Sequence, residues 1–185
     1  MNAPIDISNV VLKTTRLTLR PFRENDLQDL YEYAHVDGVG QMAGWMPHKD
    51  MEESRAILQM FIRERKTFAL EYEGKVVGSL GIEEYSQEHY PELTAFQGRE
   101  IGYVLAKDYW GRGLMTEAVQ RVITYLFDVV GVDFITIGHF ERNDRSRRVI
   151  EKCGFDYVKT TIYQTRYETV EPSRGYILWN PQRNQ

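Results

Sequence analysis

Apolar and polar residues alternate over Leu17-Thr18-Leu19-Arg20 before Pro21. That is the two-residue period of a half-buried strand, stopped by a residue that cannot donate to a ladder. The period then lengthens: Leu27, Leu30, Tyr31 and Ala34 recur at helical spacing, and Asn25 followed by Gln28 predicts a capping box opening that helix. A second helix is predicted from Asp50, with Glu53 as its box partner and Ile57, Leu58, Phe61 and Ile62 as its buried stripe. Residues 68–72 and 75–80 flank Glu73-Gly74 and predict a hairpin. The polar stretch 86–98, interrupted by Pro91, predicts a loop. Beyond it come a strand over 100–105 and an amphipathic helix over 114–130, with Val119, Val122, Ile123, Leu126 and Phe127 facing inward. A strand over 134–137, a helix over 146–153 and strands near 157–163 and 175–179 complete the pattern.

The resulting order, β-α-α-β-β-β-α-β-α-β-β, predicts a mixed α/β (α+β) fold. Helices flank a central, mostly antiparallel sheet. The strand–helix–strand unit beginning at Glu100 should be a right-handed parallel crossover, with ligand bound where its first strand ends and its helix begins.

At that point the chain reads Tyr109-Trp110-Gly111-Arg112-Gly113-Leu114-Met115-Thr116-Glu117. Glycines one residue apart permit a tight turn, and the amino-terminus of the following helix offers unpaired N–H groups and a positive dipole end. Together with the Arg112 cation these suit a pyrophosphate. The motif lacks the Gly-Lys-Ser/Thr of a Walker loop, and its glycines are too close for a dinucleotide fingerprint. An ordinary glycine-rich turn into a helix reads the same way, so this motif alone does not decide.

About thirty residues on comes 143–155, Asn-Asp-Arg-Ser-Arg-Arg-Val-Ile-Glu-Lys-Cys-Gly-Phe. Asn143 or Asp144 is suited to cap a helix that Gly154 ends. Asn143, Ser146 and Ile150 could line one groove, and Arg145, Arg147 and Arg148 place a cationic rim on an otherwise acidic chain. Cys153 has no neighbouring base to activate it and reads as a buried hydrophobe.

Composition narrows the function. The 185 residues suit one domain, expected over 1–185 with a core from about 12 to 179; 42% are hydrophobic and 27% charged. A formal charge of -4 argues against general nucleic-acid binding, which needs a basic surface. One cysteine excludes an intramolecular disulfide. No metal site is expected. No apolar run approaches the roughly 20 residues of a membrane span, and no leader pattern precedes Lys13, so no membrane association and a cytoplasmic location are expected. Strand edges near the carboxyl end leave room for a homodimer.

The segments Trp110-Gly111-Arg112-Gly113-Leu114-Met115 and Asn143-x-x-Ser146 with Glu151-Lys152-Cys153-Gly154-Phe155 resemble the GNAT (GCN5-related) N-acetyltransferases. The opening Thr15-Arg16-Leu17-Thr18-Leu19-Arg20-Pro21-Phe22 and the strand Glu100-Ile101-Gly102-Tyr103 are similar to the branch containing the ribosomal-protein N-terminal acetyltransferases. The resemblance implies a sheet splayed in its middle and acetyl-CoA as acetyl donor. It implies a pyrophosphate held by Trp110, Gly111, Arg112, Gly113, Leu114, Met115 and Thr116, the Trp110 contact coming from backbone. Met115 stands where glycine or alanine is usual, so its side chain must turn away. The pantetheine arm is implied to pair with the strand around Val104 and Leu105, with Asn143 bonding the same arm.

Transfer to an amine requires the amine to be neutral, and a carboxylate can take its proton directly or through water. Glu100 is the first candidate and Glu83 or Glu84 the second. The tyrosine that many GNAT enzymes use to support the leaving thiolate is replaced by Ile150, and Ser146 is the expected substitute. The acidic and aromatic border formed by Glu83, Glu84, Tyr85, Glu88, Tyr90, Glu92 and Phe96 suits a cationic acceptor: a peptide N-terminus, a polyamine or an aminoglycoside. An acetyl-CoA sensor without catalysis is the alternative.

Overall fold

The computed structural model describes residues 1–184; Gln185, the last residue of the expected domain, lies outside it. The strands are β1 (Leu12–Lys13), β2 (Leu17–Pro21), β3 (Thr67–Tyr72), β4 (Lys75–Glu83), β5 (Gly98–Leu105), β6 (Phe134–Phe140), β7 (Asp156–Gln164) and β8 (Val170–Trp179). They form one sheet in the order β1-β2-β3-β4-β5-β6-β8-β7. Every pairing is antiparallel except β5 with β6. That parallel junction is short. Only Gly98, Arg99 and Glu100 align with Phe134, Ile135 and Thr136. Beyond it β5 stays with β4 to Leu105 and β6 stays with β8 to Phe140, so the sheet divides down its middle.

Alternation of side chains assigns the two faces. Leu19, Phe68, Leu80, Ile82 and Ile101 meet the buried stripe of α3 (Leu114–Tyr125) and Ile150 of α4 (Asp144–Lys152). On the other face Ala69 and Val104 lie under Leu30, Tyr33 and Leu58 of α1 (Leu27–Ala34) and α2 (Met51–Glu64). The hairpin turn falls at Glu73-Gly74 as expected, both residues having positive φ.

Three local expectations are corrected. Residues 24–26 form a turn of 3₁₀ helix before α1, and the cap there belongs to Asp26, whose Oδ2 accepts from the Arg23 N–H at 2.7 Å. Gln28 instead donates to Glu32. Tertiary structure selects Asp26: the buried Arg20 guanidinium grips both its oxygens at 2.8 Å and also reaches Glu71 at 2.7 Å. The long helix keeps α geometry only to Tyr125; Leu126–Val130 widen into a π turn closed by the Gly131 and Val132 amides on the Leu126 carbonyl. In the loop at 86–98 Glu88 and Glu92 are exposed, but the aromatic side of the expected border is not. Tyr85, Tyr90 and Leu93 are buried against Phe134 and Ile177 on the α1–α2 face of the β6–β8 half.

Removing one member of a buried ion pair strands the other in low dielectric at a cost of about 3–5 kcal/mol. Asp26→Ala should therefore lower the unfolding free energy by about 3 kcal/mol in urea titration; a loss under about 1 kcal/mol would mean water reaches Arg20.

Candidate active site

The division of the sheet opens a cavity of about 1210 Å³ that passes between β5 and β6 and reaches both faces. Its backbone walls follow from the register. Ala106 N–H donates to the Val77 carbonyl, so in this antiparallel ladder residues 102, 104 and 106 turn their amides and carbonyls toward β4. Tyr103 and Leu105 turn theirs toward the gap. The unpaired edge therefore consists of Tyr103 and Leu105, whereas the backbone of Val104 belongs to the ladder and only its side chain lines the cavity. The Leu105 carbonyl accepts from the Trp110 indole at 2.7 Å, which leaves the Leu105 N–H directed into the gap.

The mouth of the gap carries the glycine turn. Gly111 and Gly113 have φ of 75° and 79°, and a Cβ on either would meet no atom closer than 3.5 Å. Backbone conformation, not crowding, calls for glycine at both. The first bond of α3 runs from the Glu117 N–H to the Gly113 carbonyl, so the Leu114, Met115 and Thr116 amides lie ahead of the ladder. Leu114 and Met115 bury their side chains in the core, so Met115 does turn away as its position requires. Glu117 fastens the turn to the chain leading into β2. It accepts from the Arg16 amide at 2.8 Å, the Arg16 guanidinium at 2.9 Å and the Thr14 hydroxyl, while Arg16 also donates to the Arg112 carbonyl at 2.9 Å. Sequence reasoning missed this clamp, whose partners lie about a hundred residues apart.

Arg112 departs from expectation. Its guanidinium stacks over the Tyr109 ring at 5.0 Å, and it is not among the residues lining the cavity. Arg145, Arg148 and Lys152 of α4 line the cavity, as do Lys66 and Arg166 elsewhere along it, and Arg145 sits 3.9 Å over the Trp110 ring. Asn143 caps α4, its Oδ1 accepting from the Ser146 N–H at 3.2 Å, and its side chain borders the same space. Cys153 is buried with its thiol pushed up to about 11, which fits an inert hydrophobe.

Two sets of ionisable groups stand on opposite faces of the split. On the α3–α4 face the Tyr103 hydroxyl meets Ser146 Oγ at 2.9 Å, and burial raises the phenol above its ordinary range. Tyr103 was not singled out from sequence, although a hydroxyl-bearing aromatic on the strand before the turn was the available signal. Ile150 is fully buried and has no role at the gap. On the α1–α2 face, at the closed end of the split, burial pushes the Glu100 carboxyl up to about 7, with a weak opposing bond from Thr136 Oγ1 at 3.3 Å. Glu83, although in the cavity wall, is held by Lys66 at 2.6 Å, and Glu84 is exposed.

A helix amino-terminus at the mouth of a divided sheet, with an unpaired strand edge leading inward, defines a site for an extended phosphorylated thioester. The chain belongs to the GNAT acetyltransferase family: the model described as "Acetyltransferase (GNAT) domain" matches residues 16–156. It is 25% identical over 179 residues to the uncharacterized N-acetyltransferase YoaA of Bacillus subtilis, covering 88% of this chain and 97% of that one. Solved structures share its fold. A GNAT-family acetyltransferase from Bacillus anthracis superposes with a TM-score of 0.79 at 23% identity, over 92% of this chain and 99% of that one. A ribosomal-protein-S5-alanine acetyltransferase from Vibrio fischeri does so with a TM-score of 0.73 at 18% identity, over 94% and 98%. The protein is an acetyl-CoA-dependent N-acetyltransferase.

A Cβ at a left-handed position costs about 1–2 kcal/mol. Gly113→Ala lets the free turn relax out of that conformation, so acetyl-CoA, which needs the turn restored, should bind roughly tenfold more weakly by calorimetry; unaltered affinity would show that the turn does not hold the cofactor.

Proposed function

We propose that this enzyme acetylates the α-amine of a peptide or protein N-terminus, with Glu100 as the proton acceptor. The observation that carries the reading is the position of Glu100 at the closed end of the split, with a carboxyl poised near neutrality. Its surroundings on the acceptor side combine apolar Met42, Trp45, Met46, Met60 and Phe61 with polar His48, Thr67, Ser79 and Arg166. Glu83 and Glu64 both bond Lys66, and Glu53 accepts from the Lys49 amide. The buried Glu100 carboxyl beside an apolar patch suits a single amine, and the cations Lys66 and Arg166 along the same wall disfavour a polycation such as a polyamine or an aminoglycoside. The expected acidic border does not strengthen the polycation reading, because Tyr85 and Tyr90 face the core and Lys159 approaches Glu92 at 4.0 Å.

The diphosphate of acetyl-CoA rests on the amides of Gly111 through Thr116, and its pantetheine arm bonds the backbone edges of Tyr103 and Leu105, with Asn143 opposite. The thioester then lies in the gap between the two faces. The neutral amine attacks the carbonyl carbon and a C–N bond forms. The nitrogen loses its proton to Glu100, directly or through one water, and the C–S bond breaks. Tyr103, joined to Ser146, donates a hydrogen bond to the departing thiolate. A phenol held above its ordinary pKa near 10 does not surrender its proton to a thiolate whose conjugate acid lies near 8.5. The pair therefore stabilises charge while the proton released by the amine finally neutralises the sulfur.

Below about pH 7 Glu100 is protonated and cannot accept, so kcat/KM for a peptide acceptor should fall as pH drops through about 7. Glu100→Gln should cut turnover at least about 100-fold and leave only the limb set by the acceptor amine, whose α-amino pKa lies at about 7.7–8.0. A pH profile of thiol release tests both, and a profile unchanged in Glu100→Gln would exclude this base. Ser146→Ala should lower kcat only severalfold and leave acetyl-CoA affinity intact, with Tyr103→Phe costing more; equal turnover in all three proteins would remove the pair from the mechanism. Acceptor class is read by offering apolar-start peptides beside polyamines, and preference for the polyamines would overturn the peptide assignment.

A further inference from the structure

Gly98, Gly102, Gly138 and Gly175 occupy positions in β5, β6 and β8, and they differ in why they are glycines. A Cβ on Gly98 would strike the Phe134 ring at 2.2 Å, and one on Gly175 the Tyr90 hydroxyl at 2.3 Å. Packing demands those two. Gly102 and Gly138 are different. A Cβ on Gly102 would meet no atom within 4 Å, and one on Gly138 only ordinary contacts at 3.4 and 3.5 Å. Neither has the positive φ that excludes side chains. Mid-strand glycine also carries an entropic penalty and buries nothing. Stability therefore gives no reason for either residue.

Their position does. Both are exposed although each lies within a central strand, and both line the cavity. Gly102 follows Glu100 by two residues on β5, and Gly138 follows Thr136 by two on β6, just past the pair where the strands part. Side-chain alternation, anchored by the Thr136–Glu100 bond, turns both toward the α1–α2 face. Tyr90, over Gly175 beside Gly138, closes one flank. The two missing side chains thus face the acceptor half of the cavity from either lip of the split, next to the carboxylate assigned as base.

We propose that Gly102 and Gly138 are specificity-determining residues: their bare backbones form the port through which the amine-bearing carbon of the acceptor reaches the thioester. This rests on the acetyl-transfer geometry given above and adds the feature that sets acceptor bulk. A primary amine on a substituted carbon, as at a peptide N-terminus, needs clearance on both lips. Acetyl-CoA, entering from the α3 end and bonding the β5 backbone, does not.

The test is a series, Gly102→Ala, Gly102→Val and Gly138→Val, assayed with amines of increasing bulk beside the amino group. The variants should melt at or above the wild-type temperature and bind acetyl-CoA within about twofold of it. Their kcat/KM for bulky amines should fall more than tenfold, in the order Ala before Val, with smaller losses for slender amines. Parallel losses for slender and bulky amines, unchanged kinetics in both Val variants, or acetyl-CoA affinity lost in step with turnover would each overturn the port. Failure of the wild-type protein to acetylate any primary amine would instead refute the parent reading, so the two failures are separable.

Discussion

The sheet cannot close across its middle. β5 keeps β4 from Glu100 to Leu105 and β6 keeps β8 from Phe134 to Phe140, and only three aligned pairs join these halves. The amide and carbonyl groups left over on β5 need partners, since unpaired backbone away from water is costly. The thioester arm, as proposed, would supply such partners in the manner of an added strand. The architecture thus exchanges internal pairing for a ready-made binding edge, and every other feature of the site is placed relative to that edge.

Glu100 marks the end of the parallel junction and Trp110 the beginning of the glycine turn, so the strand between them sets the distance from the proposed base to the proposed phosphate site. Because side chains alternate, Glu100 and Tyr103 project to opposite faces. The proposed proton acceptor and the proposed thiolate donor are thereby separated by the plane of the sheet. Cations from α4 and amides from α3 converge on the mouth, and α1 and α2 furnish an apolar wall on the acceptor side.

Features written in local sequence were legible. The strand and helix order from β2 onward, the Gly111-x-Gly113 turn, the Asn143 cap and the buried Cys153 each depend on neighbours within a few residues, whereas the two-residue β1 forms only by pairing with β2. Features that depend on long-range register were not. Asn25 lost its cap because Arg20 claims Asp26. Arg112 left the phosphate turn for Tyr109 while Arg145, from another helix, took the place over Trp110. The choice of Tyr103 and Leu105 over Val104 as the free edge depends on which alternate residues β4 occupies, a parity set by strand register. Tyr85 and Tyr90 read as an exposed border until Phe134 and Ile177 are brought beneath them.

Hydrogen exchange of the β5 amides, followed residue by residue with and without coenzyme A, examines the divided sheet most directly. The Tyr103 and Leu105 amides should become protected when coenzyme A binds, while the Val104 amide, already paired with β4, stays as it was. Exchange at Tyr103 and Leu105 unaffected by saturating coenzyme A would contradict the account, because the cofactor would then lie somewhere other than in the split.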